Sequence, residues 1–251
     1  MGADRNLDWD GLFNARDLGG LRAHGGQTRW RAVIRSESVE RLTAAGWSAL
    51  WDYGVRTVVD LRNPDERGTD AAPRPAGLCT VRVPLEDYDG DREFWRPWRE
   101  SGLWSTPLYY RAFLDRFPGR AAAAVTAIAR AVPGGVLVHC AAGRDRTGLV
   151  TLLLLALAGV SGADIAADHA QSDERLVPLG RLLGLDDPRP ALAEAIAAAG
   201  TTATDALLAT VAGLDPAGYL SSAGMGADDV AAVRARLRSA DGGREDAEVV
   251  A

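Results

Sequence analysis

Lysine is absent from this 251-residue chain, so all 28 of its basic side chains are arginine. The acidic residues number 34, which gives a net charge of −6 at pH 7 with histidine neutral. Nucleic-acid-binding domains are usually basic, so the charge balance argues against nucleic acid as a partner. With 47% hydrophobic and 25% charged residues, the chain has an ordinary globular composition and is long enough to bury one large core.

Cysteine and histidine are also scarce. The two cysteines, Cys79 and Cys140, are too few for a disulfide scaffold, and their sparse use fits a reducing compartment. The three histidines, His24, His139 and His169, are scattered, and no compact Asp/His cluster has metal-ligand spacing. We therefore expect chemistry that needs no metal and no cofactor, and an activity that chelators do not affect.

Long hydrophobic runs are missing as well. The longest, residues 149–160, has twelve residues including a threonine and a glycine, whereas about twenty are needed to span a bilayer. This run predicts a buried core helix. Residues 1–6 are polar, which is not typical of a signal peptide. We expect a cytoplasmic protein without membrane insertion, and the sequence leaves export by another route and the oligomeric state open.

One stretch organises the rest of the chain. The apolar run 136–138 is followed by His139 and Cys140, then by a tight turn, and then by an apolar helix that is predicted to begin at Thr147. A strand that leads through a tight loop into a helix N-terminus forms an anion site, because the loop N–H groups converge and the helix dipole adds positive charge. Arg146 can hold two oxygens of such an anion from the side while the Cys140 thiolate lies beneath it.

Residues 139–148, His-Cys-Ala-Ala-Gly-Arg-Asp-Arg-Thr-Gly, resemble the signature of the cysteine-dependent protein tyrosine phosphatases. The match is to the bacterial branch with the loop Cys-x-x-Gly-Lys-Asp-Arg-Thr-Gly, which includes secreted mycobacterial tyrosine phosphatases with some phosphoinositide activity. Asn14–Gly20 and Asp168–Ser172 resemble the Asn-x-Arg-Asp-Leu-Gly-Gly and Asp-Tyr-x-x-Ser elements of that branch. The resemblance covers about residues 12–238. The departure within the loop is Arg144, where the branch has lysine.

The resemblance implies a phosphoric monoester hydrolase that works through a thiophosphate intermediate. Cys140 would be the nucleophile, since a helix N-terminus and a neighbouring arginine favour the thiolate. Arg146 would grip the phosphoryl oxygens, and Thr147 would also donate to the departing sulfur. Further phosphate contacts would come from the loop, namely from Ala141, Ala142, Gly143, Arg144 and Thr147.

Two aspartates are candidates for the acid that protonates the leaving oxygen. In the branch that the sequence resembles, the acid is the aspartate of the signature loop, here Asp145, and Asp60 at the end of a predicted strand is the second candidate. His139 is predicted to orient the loop from behind. Arg144 has two explanations: drift in a lysine-free, arginine-rich composition, which we favour, or adaptation to a multiply charged substrate.

The order of elements predicts an α/β fold with a central, mostly parallel, twisted sheet flanked by helices. Continuous apolar runs such as 56–62 are typical of strands that are buried on both faces. We expect one phosphatase domain over residues 1–251, with a core at about 12–238 and a charged, disordered tail at 239–251. From the resemblance, the Leu- and Ala-rich residues 174–214 would form an inserted helical lid over the phosphate site.

Several local elements are also predicted. Thr43 is typical of a helix N-cap, and Leu21–Ser36 of a hairpin. One long amphipathic helix is expected over Tyr109–Val132. The aromatic-rich residues 86–108 are interpreted as a flap or substrate wall, or alternatively as a loop packed on the core. Cys79, in a third strand, is expected to be a small buried hydrophobe.

The sequence leaves the substrate open. A phosphotyrosine protein, or a protein substrate of dual specificity, is the preferred interpretation, and a phosphoinositide, nucleotide or other small phosphorylated metabolite is the alternative. A phosphate-binding module with little turnover is the third, but inactive relatives usually lack one of the reactive residues, whereas Cys140, Asp145 and Arg146 are all present.

Overall fold

The structure is a computed structural model that describes residues 4–238. Seven strands are formed within those residues: β1 (Arg16–Asp17), β2 (Arg22–Ala23), β3 (Gly26–Gln27), β4 (Val33–Ser36), β5 (Val55–Asp60), β6 (Cys79–Arg82) and β7 (Gly135–His139). Five of them make one sheet in the spatial order β1, β4, β7, β5, β6, in which only the β1–β4 pair is antiparallel. β2 and β3 form a separate small hairpin. The predicted α/β fold with a mostly parallel sheet is confirmed.

Helices cover both faces of the sheet. Those within residues 4–238 are α1 (Ala44–Asp52), α2 (Arg92–Glu100), α3 (Tyr110–Arg116), α4 (Pro118–Ala129), α5 (Asp145–Ala158), α6 (Gly162–Arg175), α7 (Val177–Leu182), α8 (Arg189–Ala198), α9 (Ala203–Ala212), α10 (Pro216–Ser222) and α11 (Ala227–Leu237). Thr43 caps α1 as predicted, because its hydroxyl accepts the N–H of Gly46 at 3.2 Å.

Side chains of the central strands alternate between two hydrophobic cores, as the pleat of a strand requires. Val136 and Val138 of β7 belong to the core shared with α2 to α6 and α9 to α11, whereas Leu137 between them faces α1 and the N-terminal segment. α5, the predicted core helix, lies almost wholly inside the first core, with 12 of its 14 residues buried. Its rigid packing positions the loop that precedes it.

The carboxyl ends of the parallel strands meet at one edge of the sheet. Ser36 at the end of β4 and Asp60 at the end of β5 are both in register with His139 at the end of β7. Ligands of open α/β sheets bind outside this edge. Cys140 is the first residue beyond it.

Three local predictions differ from the structure. The hairpin predicted for Leu21–Ser36 is confined to β2 and β3, since β4 pairs with β1 and β7 instead. The helix predicted for Tyr109–Val132 is broken between α3 and α4, where Phe117 leaves the helical conformation immediately before Pro118. Cys79 is exposed on the edge strand β6, not buried, and it is a free cysteine.

Residues 174–214 contain α7, α8 and α9. Within the described chain no single helix is long and apolar enough to cross a bilayer, and α8 with α9, bent by 59°, meets the length and composition test only as a pair. Among residues 4–238 no group of three or more His, Cys, Asp or Glu side chains could hold a metal ion. The predicted tail at 239–251 lies outside the described residues.

Candidate active site

The loop between β7 and α5 has the form that the sequence predicted. Cys140 follows β7 directly, and α5 begins at Asp145, two residues earlier than expected. Gly143 turns the loop with φ +69°, and a Cβ there would lie 2.2 Å from the carbonyl oxygen of Ser36. Only glycine fits this position. The N–H of Gly143 donates to Cys140 Sγ at 3.3 Å, and Cys140 is 3% exposed.

Every carbonyl from residue 140 to residue 143 accepts a hydrogen bond from a group behind the loop. The donors, in that order, are His139 Nδ1 at 3.0 Å, Ser38 N at 2.9 Å, Asn14 Nδ2 at 3.1 Å and Arg35 Nη2 at 2.8 Å. In a trans peptide the C=O of one residue and the N–H of the next point in opposite directions. The four N–H groups of residues 141–144 are therefore turned to the front of the loop, the side marked by the contact of Gly143 with sulfur.

His139 is fully buried beneath the loop. Burial lowers its pKa to about 4, although the carboxylate of Asp60 opposes the shift. The ring is therefore neutral at pH 7, and its bond to the Cys140 carbonyl assigns the proton to Nδ1. Its Nε2 lies 3.8 Å from Asp60 Oδ1. These contacts support the loop from behind, as the sequence interpretation expected.

Asp60 is engaged by arginine. Its two oxygens accept from Nε and Nη2 of Arg62, each at 3.0 Å, and Arg67 lies 3.7 Å away. Burial acts in the opposite direction, but the hydrogen bonds and the charge of Arg62 lower the pKa of Asp60. Arg62 occupies both carboxylate oxygens and the Asp60 side chain is 4% exposed, so neither oxygen is free to reach a leaving group. The structure therefore argues against Asp60 as the second candidate acid.

Arg146, in the first turn of α5, is held by two carboxylates. Its Nη1 and Nη2 donate to the oxygens of Glu66 at 2.5 and 2.6 Å, and its Nε lies 3.4 Å from Glu86 Oε2. Burial opposes it, but the Glu66 hydrogen bond and the neighbouring charges of Cys140 and Glu86 raise the pKa of Arg146. The structure thus brings a charged, oriented guanidinium to the side of Cys140.

Sequence reasoning missed both of these carboxylates. Glu66 ends the short turn after β5 and also accepts the N–H of Asn63 at 2.8 Å. Glu86 is buried beyond β6, accepts from Tyr109 at 2.8 Å and contacts the hydroxyl of Tyr88, and burial raises its pKa. The signal that could have found them is their place after strands that end at the same sheet edge as Cys140.

Arg144 and Asp145 pair with each other across the loop–helix junction. Arg144 Nε donates to Asp145 Oδ1 at 3.2 Å, its Nη2 donates to the carbonyl of Ser105 at 3.0 Å, and its Nη1 lies 3.6 Å from Asp173 Oδ1. The carboxylates of Asp145 and Asp173 raise the pKa of Arg144, although burial opposes them. The predicted phosphate contact of Arg144 is thus limited to its N–H, since the guanidinium is occupied elsewhere.

Thr147 follows Arg146 in α5 and is fully buried. Its hydroxyl has no hydrogen-bond partner among the residues that the structure describes. A buried hydroxyl without a partner is unusual, since most such groups are satisfied. The hydroxyl is therefore free to serve a bound group or the nearby sulfur.

A set of buried charges lies behind the loop, and we call it the rear network: Asp168, Arg5, Arg16 and Arg35. The carboxylate of Asp168 contacts all three arginines, at 2.8 Å (Arg5), 3.2 Å (Arg16) and 2.8 Å (Arg35). Burial opposes the shift, but the arginines lower the pKa of Asp168. Arg35 also donates to the Gly143 carbonyl, so the rear network reaches the loop itself.

The resembling elements Asn14–Gly20 and Asp168–Ser172 contact each other behind the loop. Arg16 bonds to Asn14, Asp168 and Ser172. Asp17 accepts from Tyr53 Oη and the N–H of Arg31, and it contacts no residue of the loop. His169 bonds to Tyr110 Oη at 3.1 Å.

Comparison with known proteins agrees with this geometry. The model of a family described as "Tyrosine phosphatase family" matches residues 7–239. A Cupriavidus necator protein whose name assigns it to the tyrosine-protein phosphatases is 34% identical over 192 residues, which cover 72% of this chain and 69% of that protein. A tyrosine-protein phosphatase of Nostoc commune is 33% identical over 56% of this chain and 48% of its own length. The triple specificity protein phosphatase PtpB of Mycobacterium tuberculosis is 29% identical over 67% of this chain and 70% of its own length.

Proposed function

The chain belongs to the tyrosine phosphatase family, and from that premise we propose how its residues hydrolyse a phosphoric monoester. It is a phosphatase of the protein tyrosine phosphatase type. In the proposal Cys140 is the nucleophile, Arg146 and the N–H groups of residues 141–144 bind the phosphoryl group, and Asp145 is the general acid. The observation that carries the proposal is that four successive loop carbonyls bond to groups behind the loop, which turns four N–H groups to the front, where the N–H of Gly143 meets Cys140 Sγ.

The reaction proceeds in two displacements. In the first, the Cys140 thiolate attacks phosphorus in line, the S–P bond forms, the ester P–O bond breaks, and the leaving oxygen takes a proton from Asp145. In the second, water attacks phosphorus, the S–P electron pair returns to sulfur, and the proton of the water passes to Asp145. Inorganic phosphate leaves, and both groups are restored. The unpartnered hydroxyl of Thr147 donates to sulfur as it departs.

The loop amides and Arg146 hold the non-bridging oxygens through both steps. A guanidinium has five N–H donors, and the pair with Glu66 uses two of them on the Nη1–Nη2 edge. The edge that carries Nε faces Glu86 Oε2 at 3.4 Å, so in the proposal phosphate binds this edge beside that carboxylate. Glu66 therefore acts as a positioning residue that fixes the plane of the guanidinium before the substrate arrives.

We favour phosphotyrosine proteins as substrates because an aromatic wall adjoins the site. Tyr88 lies 4.9 Å from Trp95 and 6.4 Å from Trp104 between ring centroids, and Arg99 stacks on Tyr88 at 4.7 Å. The wall lies between Glu86, which contacts Arg146, and the turn at Ser105, which contacts Arg144. Trp95 is buried behind the wall, and an aryl ester can pack on the rings of Tyr88 and Trp104, whereas an alkyl phosphate gains less.

Cys140→Ser in the whole chain is the primary test. We expect kcat with p-nitrophenyl phosphate to fall by more than about 10³-fold with the fold intact. Equal activity in Cys140→Ser and wild type would overturn the proposed nucleophile. A panel of phosphotyrosine peptides, phosphoinositides and nucleotides, ranked by kcat/KM, then tests the substrate class, and a preference for either of the latter two would overturn our choice.

Asp145→Asn and Asp60→Asn separate the two candidate acids. General acid catalysis contributes about 10²–10⁴-fold, and chiefly where the leaving group is poor. We expect Asp145→Asn to slow phenyl phosphate far more than p-nitrophenyl phosphate, and Asp60→Asn to affect both alike. If Asp145→Asn slows both substrates equally, the acid assignment is wrong.

A further inference from the structure

The side chain of Arg144 joins three separate elements, each through a different nitrogen atom. Nε bonds to Asp145 at the start of α5, Nη2 to the carbonyl of Ser105 in the turn before α3, and Nη1 faces Asp173 near the end of α6. The guanidinium side chain is 11% exposed. Such a three-way contact fixes the orientation of the side chain and of whatever it holds.

A lysine could not make this arrangement. The ammonium group is a single nitrogen at the end of a flexible stem, whereas the guanidinium is a planar fork with donors on three nitrogens. At position 144 a lysine could contact one or two of the three partners, but not all of them in fixed directions. The arginine therefore has a structural reason in this chain besides the absence of lysine from its composition.

We propose that Arg144 is a positioning residue whose side chain fixes the orientation of the Asp145 carboxyl group. Through the other two contacts of Arg144, that orientation depends on the positions of α6 and of the turn at Ser105. The proposal rests on the proposed function, since it assigns a purpose to the acid of that same site. The backbone N–H of Arg144, by contrast, is one of the four loop N–H groups that face the phosphoryl group in the proposed function. The side chain acts through Asp145 and does not touch the substrate.

The contact extends into the helical residues 174–214. α8 packs against the turn 103–105, and Glu174, next to Asp173, bonds to Arg189 at the start of α8 at 2.5 Å. A shift of α6 or of this turn would move two of the three groups that hold Arg144. The aim of Asp145 is thereby linked to the helices that follow α6.

Arg144→Lys is the main variant, because it keeps the charge and removes the fork. We expect phenyl phosphate turnover to fall about tenfold or more, a part of the general-acid contribution, while p-nitrophenyl phosphate changes less than about threefold and KM stays within about twofold for both. Loss of equal size on both substrates with a raised KM would show that Arg144 binds substrate, and would overturn the proposal. Wild-type kinetics in Arg144→Lys would overturn it too.

A double-mutant cycle with Asp145→Asn tests whether Arg144 acts through the acid. Residues that act as one unit give non-additive losses. We expect Arg144→Lys to add less than about twofold in the Asp145→Asn background. Multiplicative losses would contradict the proposal even if the leaving-group pattern fitted.

Asp173→Ala provides a second line that leaves the loop sequence intact, so it carries the test if Arg144→Lys does not fold. We expect the same leaving-group pattern at about threefold, and Gln171→Ala, on the same helix but outside the groups that hold Arg144, serves as the matched control with no such pattern. If Asp173→Ala slows phenyl phosphate and p-nitrophenyl phosphate equally, the proposed dependence of Asp145 on α6 is wrong. Failure of the proposed function looks different: the wild type itself would then show no turnover above Cys140→Ser.

Discussion

The rear network contacts the loop at 140–144 directly through Arg35, whereas the helical residues 174–214 reach it through the turn 103–105, and different forces hold the two regions. In the rear network every partner of Asp168 is charged, and Asp168, Arg16 and Arg35 are buried. Among residues 174–214 only Leu179, Leu207 and Thr210 are buried, α8 has no buried residue, and the side chain of Glu174 that pairs with Arg189 is 82% exposed.

This difference in burial indicates that the rear network holds the shape of the loop more firmly than residues 174–214 hold their own positions. Breaking a buried charge set leaves uncompensated charges in a low dielectric, whereas exposed pairs are screened by water and salt. The rear of the loop is therefore rigid, and elements with few buried contacts open at low free-energy cost. The rear network therefore fixes the loop at 140–144, and we expect residues 174–214 to move more easily than the loop does.

Asp168→Ala should give the largest effect, because it leaves Arg5, Arg16 and Arg35 without their shared carboxylate. We expect a loss of about 3–5 kcal/mol in the free energy of unfolding, measured by denaturant titration. Glu174 is in α6, like Asp168. Glu174→Gln removes its exposed pair with Arg189 of α8 and should leave the unfolding midpoint unchanged. Equal effects of the two variants would contradict the comparison.

His139 should make stability depend on pH. Its folded pKa, about 4, lies below the unfolded value of 6.5, so both states are neutral above pH 6.5 and the full stability is present there. As the pH falls from 6.5 toward 4, the unfolded chain takes up the proton first, and the free energy of unfolding drops by about 3 kcal/mol.

The control is His139→Asn, which has no titratable ring and can still offer an N–H to the Cys140 carbonyl. The difference in unfolding free energy between wild type and this variant should decrease by about 3 kcal/mol as the pH falls from 6.5 to 4. A pH-independent difference would show that His139 is not buried in its neutral form.

A pair of glycine substitutions sharpens the comparison between rigid and loosely packed backbone. At Gly143 a Cβ would collide with Ser36 and φ is positive, so Gly143→Ala should destabilise by about 1–3 kcal/mol and abolish turnover. At Gly180, inside α7, a Cβ meets nothing within 4 Å, so Gly180→Ala should be neutral or stabilise by up to about 1 kcal/mol. Thermal unfolding and p-nitrophenyl phosphate turnover check both, and a harmless Gly143→Ala would refute the tight turn.

The smallest effect is expected at two exposed leucines, one at the end of α7 and one just after it. Leu182 and Leu185 are 64% and 63% exposed, so Leu182→Ser and Leu185→Ser should change the free energy of unfolding by less than about 0.5 kcal/mol. Leu153, fully buried in α5, is the matched contrast, and Leu153→Ala should lose about 2–5 kcal/mol. A large loss at Leu182 would mean that this segment is held more firmly than its exposure indicates.

The strand, loop and helix at 136–148 were predictable because their signals are local. An apolar run, a glycine at the turn and an arginine six residues after the cysteine specify the anion site without help from the rest of the chain. Glu66 and Glu86 were not predictable in the same way, since the fold brings them to Arg146 from distant parts of the sequence. The same holds for Asp173, which reaches Arg144 through tertiary packing alone.

Periodicity misled at two places for physical reasons. The helical pattern of 109–132 continues across Pro118, but the residue before a proline avoids the helical conformation, so two helices form. Cys79 was expected to be a small buried hydrophobe in a third strand, yet β6 pairs only with β5 and lies at the sheet edge. Which strand lies at an edge depends on the order of strands, which local patterns do not contain.

The positions of the two thiols have a consequence for oxidative damage. Across the sheet, Cys79 is level with Thr57 of β5 and Val136 of β7. Cys140 lies four residues beyond Val136, which separates the two cysteines by about 13 Å along the strand direction. A disulfide needs Cα atoms within about 7 Å, so Cys79 cannot capture a sulfenic acid at Cys140. Peroxide-treated protein would depend on an external thiol to regain its nucleophile before further oxidation to the sulfinic acid makes the loss permanent.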